Sequence, residues 1–312
     1  MHGYILKRLA MMGLVLLGVT LLTFFIMYLA PGDPALLIAQ ARYGADLTPE
    51  QVNAITVAEG LDQEWYVQYF HWIGHLIDLD MGRSLVTGEM VSQEIGDRLP
   101  ATLALAATSL TMSLTISVSV GMWCVLYRGT WKDRLGLTVV LVGKSMPSFW
   151  LGLLLILVFS VWLDVLPSYG SGGLEHLVLP SFTLAVGMSA VTTRLMRSSL
   201  LEVLNEDYVM MARANGLDER QVLWNHALRN ALLPVLTFAG LQLGFLIGGA
   251  MVVETVFSWP GVGKLLVDSI ALKDFSMVQG CVLVIAVLFC LVTLLIDVLY
   301  AFLDPRVRYD HH

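Results

Sequence analysis

Apolar residues in this chain fall in long, nearly unbroken runs instead of the one-faced periodicity of a water-exposed helix. A spanning helix needs about 20 mainly apolar residues. Six runs qualify: Leu9 to Ala30, Ala101 to Leu126, Leu135 to Leu163, Leu177 to Thr193, Ala231 to Val253 and Val278 to Leu303. They predict an all-α integral membrane protein with six transmembrane helices. The first run is too long for a secretory signal and lacks its small-residue cleavage site, so it is expected to stay as an anchor. Polar positions collect in two insertions. The expected organisation is a tail and first span over 1–30, an extracytoplasmic segment over 31–100, a core of spans two to six over 101–303 containing a polar loop at 194–230, and a tail over 304–312.

Composition agrees with the runs. The chain is 57% hydrophobic and 14% charged, with a mean hydropathy of +0.74, whereas soluble domains carry about a quarter charged residues. Lys and Arg orient the spans, because short loops rich in them stay in the cytoplasm. With the N-terminus inside, Lys7, Arg8, Arg128, Lys132, Arg134, Arg194, Arg197, Arg213, Arg220, Arg229, Arg306 and Arg308 are cytoplasmic. Arg42, Arg83, Arg98, Lys264 and Lys273 are outside, and Lys144 lies within a span. Both termini are therefore expected inside. Most of the net charge of −7 then lies on outer segments, which argues against nucleic acid as a partner. Cys124, Cys281 and Cys290 all fall in apolar runs and read as small packing residues.

In the 31–100 segment, Pro31-Gly-Asp-Pro34 forces the chain out of the first helix. Thr48-Pro-Glu-Gln51 has the form of a capping box with Pro at the first helical position. A second helix from Glu64 to about Ile77 puts Trp65, Tyr69, Trp72, Ile73 and Leu76 on one face, expected to rest on the membrane surface or the ends of the spans. His71 and His75 are one turn apart but have no third ligand at matching spacing, so no metal site is expected. Gly261-Val-Gly-Lys264 fails as a phosphate loop, because Ser258 and Leu265 occupy places that need Gly and Ser or Thr. Phe257 and Trp259 beside Pro260-Gly261 suggest a re-entrant or interfacial hairpin. No nucleophile, base and acid set is visible; the chain is expected to be no enzyme and to need no cofactor.

The 194–230 loop carries the strongest pattern. Leu200, Leu201, Val203, Leu204, Tyr208, Val209, Met211 and Ala212 form an apolar face. Gly216 is placed to end that helix in the left-handed conformation. Asp218 and Gln221 are placed to start the next by reciprocal capping. Small residues Ala212, Ala214 and Gly216 at the bend would let another protein approach the backbone.

This segment, with Ala212-x-x-x-Gly216, His226-Ala-Leu-Arg-Asn230 and Leu233-Pro234, resembles the coupling loop of the membrane subunits of bacterial ABC importers in the peptide/nickel branch. The likeness spans the chain through Pro31-Gly-Asp-Pro34, Gly60-Leu-Asp62, Leu99-Pro-Ala-Thr102, Met146-Pro-Ser-Phe-Trp150, Glu254-x-x-Phe-x-Trp-Pro-Gly261 and Asp304-Pro-Arg306. Met210 stands where the broader family often has Glu, which puts a salt bridge to the ATPase in doubt and leaves docking intact.

The resemblance implies a type I ABC importer permease fold in the bacterial inner membrane. Its partners would be a second, homologous permease subunit, two ATP-binding cassette ATPase subunits and a solute-binding protein. Ala212, Arg213, Ala214, Asn215, Gly216, Leu217 and Asp218 would dock on the ATPase.

Lys144 and Asp297 are ionisable groups inside spans and functional suspects on that ground. Lys144, Met146, Met188, Gln242 and Met251 are the candidates for the translocation path, with Pro147 expected to kink the third span. Asp297 is expected to pair with a basic neighbour or to cap packing rather than touch solute. The shortness of the 164–176 loop resembles nickel-type members and leans the substrate toward a metal chelate, with di- or oligopeptides as the alternative. An ATP-independent channel or secondary transporter would favour several intramembrane charges or repeated halves. An outer-segment enzyme or sensor would need a catalytic set in 31–100.

Overall fold

The computed structural model describes residues 2–29, 33–44 and 46–303. Pro31 and Gly32 of the first motif, Asp304-Pro-Arg306, Arg308 and the 304–312 tail lie outside the described residues. Among those described, every regular element is helical: α1 His2–Leu29, α2 Pro34–Tyr43, α3 Pro49–Ala58, α4 Trp65–Ile77, α5 Val91–Leu126, α6 Trp131–Ser145, α7 Ser148–Leu155 with a π-helical continuation Ile156–Trp162, α8 Leu174–Val203, α9 Asp207–Ala214, α10 Glu219–Gln221 with a π-helical continuation Val222–Ala227, α11 Leu228–Gly249, α12 Met251–Val256, α13 Val262–Ala271 and α14 Phe275–Leu303. Among the described residues four helices are long and apolar enough to cross a membrane, or five when the bent pair α6 and α7 counts as one span. The run expected as span five corresponds to α11, some of whose side chains lie outside the described set.

Two boundaries differ from the apolar runs. Helix α5 starts at Val91, upstream of the expected Ala101, and contains Pro100; an Arg98–Glu94 pair at 3.7 Å supports its polar first turns. Helix α8 continues past Thr193 to Val203. The third run is broken at Pro147, where a kink is expected, and the bend is sharp: α6 and α7 meet at 104°. Pro147 disfavours the helical region for the residue before it, and Met146 sits at ψ 134°. Pro147 itself follows at ψ 136°. Two successive extended residues turn the chain much further than a proline inside a continuous helix.

The chain divides into two compact units, Met1–Ala101 with Pro260–Cys290, and Thr102–Trp259 with Leu291–His312. In the first, the predicted capping box forms: Gln51 N–H donates to Thr48 Oγ1 at 3.3 Å and Thr48 N–H to Gln51 Oε1 at 2.9 Å. Ala35, Ile38, Ala39 and Ile55 make a small core between α2 and α3. The aromatic face of α4 rests on α1, as expected. Tyr69 meets Phe24 edge to face at 5.4 Å, and its hydroxyl bonds Thr20 Oγ1 at 3.1 Å. Asp274, buried at the start of α14, accepts from Met277 N–H at 3.1 Å and Leu85 N–H at 3.1 Å. It also takes the Ser84 hydroxyl, so one carboxylate caps a helix and ties down the 82–90 turn.

The second unit is held by hydroxyls and small residues, the usual means of joining helices where lipid is as apolar as Leu. Thr108 and Ser181 link α5 to α8 at 2.6 Å, and Ser117 Oγ donates to Ser189 O at 3.3 Å. Thr102 Oγ1 donates to the fully buried Glu254 carboxylate at 2.8 Å. Asp133, buried at the start of α6, accepts both arms of Arg197 from α8, at 3.0 and 2.8 Å, and also Gly129 N–H at 3.2 Å. Cys124, Cys281 and Cys290 are buried free thiols.

Candidate functional site

Residues 204–227 build an elbow. Helix α9 buries Val209 and Ala212, and the π-helical turn after α10 buries Val222, Leu223 and Ala227. These join Met122, Val125, Met196, Leu200 and Leu204 in one core. Each fully buried Val or Leu contributes about 1.5–3 kcal/mol, so the elbow is fixed to the bundle and does not hang from it as a loose loop. Ala212 is buried in this core. Tyr208 Oη accepts from Asn230 Nδ2 at 2.6 Å, tying the first turn of α9 to α11.

Gly216 has φ +83°, the left-handed conformation expected of it. The Asp218–Gln221 capping box does not form: Asp218 holds the N-cap position without a side-chain hydrogen bond. Arg213 braces the bend instead. Its Nη2 and Nε donate to Glu219 Oε1 and Oε2 at 2.6 and 3.1 Å, while Nη1 donates to Leu204 O at 3.1 Å. The guanidinium thus joins the end of α8, helix α9 and helix α10. Its hydrogen bonds to the Glu219 carboxylate hold it above its ordinary pKa. Glu219 was invisible to periodic reasoning, because a pair six apart across a glycine follows no helical spacing.

What remains outward is apolar and small. Met210, Met211 and Leu217 are exposed, as are Ala214, Asn215, Gly216 and Asp218. A side chain at Gly216 would find nothing within 4 Å. The elbow is a rigid projection with an open tip and no reactive constellation.

The five path candidates lie on helices that pack on one another. A Cβ on Gly143 would meet Val186 Cγ1 at 2.6 Å, so α6 and α8 touch beside Lys144 and Met188. One turn beyond Met188, Thr192 receives Gln242 Nε2 from α11 at 2.8 Å. Met146 sits at the α6–α7 break. Met251 begins α12, which packs on α7 and α8. Lys144 is exposed in the last turn of α6, whereas Met146, Met188, Gln242 and Met251 are half-buried. Asp297 is half-buried in α14.

The first unit has a cavity of about 640 Å³ lined by Phe24, Trp72, Gln63, Gln68, His71 and Gln279 among others. His71 and His75 are in ring contact at 4.9 Å. Among the described residues no group of three His, Cys, Asp or Glu is arranged to hold a metal ion.

Known proteins resemble this chain in sequence and in fold. Residues 113–309 match the family described as "Binding-protein-dependent transport system inner membrane component". Residues 1–106 match the corresponding N-terminal family. The chain is 43% identical over 309 residues to the glutathione transport system permease protein GsiC of Salmonella typhimurium, covering 99% of this chain and 100% of that one. The GsiC protein of Escherichia coli is 42% identical with the same coverage. Among solved structures, the inward-facing MetNI methionine ABC transporter aligns with a TM-score of 0.56 and 22% identity over 68% of this chain and 97% of that one. An amino acid ABC transporter with histidines aligns at 0.51 and 14% identity over 69% and 94%. These two share the fold. The chain belongs to the inner membrane components of binding-protein-dependent transport systems, as a permease subunit of an ABC importer in the peptide/nickel branch.

Proposed function

We propose that this chain forms half of a translocation path for small peptides of the glutathione kind, paired with a homologous permease subunit, driven by two ATPase subunits and fed by a solute-binding protein. The observation that carries the coupling role is the elbow: a tip of Ala214 to Asp218 exposed on a mount that is buried and braced by Arg213. A push on the tip then moves α8 and α11 together, because Val209, Leu200, Ala231 and Val235 are packed as one body. The Lys and Arg distribution supports both termini, and the elbow, on the cytoplasmic side. Lys144, Met146, Met188, Gln242 and Met251 are the residues assigned to the path.

The peptide reading rests on relatives named for glutathione transport that align over their full length. The earlier lean toward a nickel chelate rested on the short 164–176 loop alone, and nothing in the relatives favours it. Uptake of labelled glutathione, and separately of radioactive nickel, by cells with and without this gene tests the reading. Loss of glutathione uptake is expected. Loss of nickel uptake alone would remove the peptide substrate and leave the permease role standing.

A further inference from the structure

Lys144 is a cation in the second unit for which no counter-charge is found among the described residues. It lies thirteen residues beyond Trp131, the start of α6, which at 1.5 Å per residue places it about 20 Å along the helix. The hydrocarbon core is about 30 Å thick, so an α6 that enters it upright at Trp131 holds Lys144 within it. Ionisable groups at such depth face a water-filled path or a partner charge. Lys144 makes no ion pair or hydrogen bond with any described residue. The buried acid Glu254 is engaged by Thr102.

The local backbone aggravates the need. Beyond Lys144 the chain leaves the helix at Met146 and turns by 104°, so no following helical turn covers the ammonium. Its side chain is exposed, and it stands where α6 meets α8 near Met188, a turn from the Thr192–Gln242 bond to α11. The side chain therefore projects from the junction of helices already assigned to the path. The carbonyls ending α6 present only a fraction of a negative charge, which leaves the ammonium able to take a full anion.

We infer that Lys144 is a specificity-determining residue that engages a carboxylate of the transported peptide during passage, a step that rests on the peptide reading above. A lysine acts here as a point-charge donor and not as a bidentate fork, which suits a carboxylate that must be held briefly and released.

The test uses the whole importer, with both permease subunits, both ATPases and the binding protein, in proteoliposomes. Uptake is measured for glutathione and for a glutathione analogue with both carboxyls amidated, with wild type, Lys144→Met and Lys144→Arg. Glutathione uptake is expected to fall about tenfold in Lys144→Met, the size of one charge-assisted contact, and to recover in Lys144→Arg. Uptake of the amidated peptide is expected to be equal in all three, and ATP hydrolysis stimulated by the loaded binding protein should persist. Equal losses for both peptides, or no loss for either, would overturn the inference while leaving the peptide reading intact. Wild type that moves neither peptide would sink both. Loss of the second permease subunit from purified Lys144→Met complex would also overturn it, since the counter-charge would then belong to that subunit.

Discussion

Replacing Gly216 separates two reasons why the elbow carries a glycine. At φ +83° an L side chain costs about 1–2 kcal/mol through its Cβ and the following carbonyl. Asn pays less than Ala because its short polar side chain tolerates the left-handed region, and a β-branched residue pays most. No atom lies within 4 Å of a Cβ built at this position, so within the chain the cost is backbone strain alone, with no steric term. A shift of 1.4 kcal/mol is about tenfold in the population of the native bend. The expected order of ATP hydrolysis stimulated by loaded binding protein, in the reconstituted importer and normalised to membrane abundance, is Gly, then Asn, then Ala, then Val. If Ala outperforms Asn, side-chain size at a docked surface is limiting, and the strain argument is wrong.

Two further expectations concern stability. Asp133→Ala leaves Arg197 and the Gly129 N–H without their acceptor and is expected to cost about 3 kcal/mol, read as a lower midpoint for thermal loss of monodisperse protein in detergent. The paired change Asp133→Leu with Arg197→Met should recover most of it; equal midpoints for the single and double variants would show that packing, not the unpaired charge, sets the loss. Tyr69→Phe removes one hydrogen bond, at about 1 kcal/mol, and leaves Thr20 bonded to Leu17 O at 3.0 Å, whereas Tyr69→Ala also forfeits the contact with Phe24. Proteolytic release of the 33–90 segment should therefore accelerate slightly in the first and strongly in the second, and comparable rates would contradict the clasp.

Features fixed by neighbours along the chain were legible in the sequence. The Thr48–Gln51 capping box, the aromatic face of α4 and the left-handed Gly216 each depend on spacings of a few residues, and each formed. The features that were not legible join distant positions. Asp133 and Arg197 are 64 residues apart, Thr102 and Glu254 are 152 apart, and Ser84 reaches Asp274 across 190. No periodicity encodes such pairs; a charged or hydroxyl residue at the end of an apolar run reads as a solvated terminus until its partner is placed beside it. Helices α5 and α8 outrun their apolar spans, to Val91 and Val203, for a related reason, since polar residues there continue helices that hydropathy alone would stop.

The elbow shows why local rules also fail within a short segment. Asp218 and Gln221 have the spacing of a capping box, yet Glu219 is claimed by Arg213, whose three donors reach Leu204 as well. An internal cap would have stabilised α10 by itself; the observed brace instead joins α10 to α9 and α8. For a coupling device that difference matters. A capped helix can pivot on its neighbours, whereas a helix tied to both must carry them when it moves, and α8 is the helix whose contact with α6 lies beside Lys144 and Met188. The three-way tie thus provides a mechanical connection from the exposed tip to the residues assigned to the path.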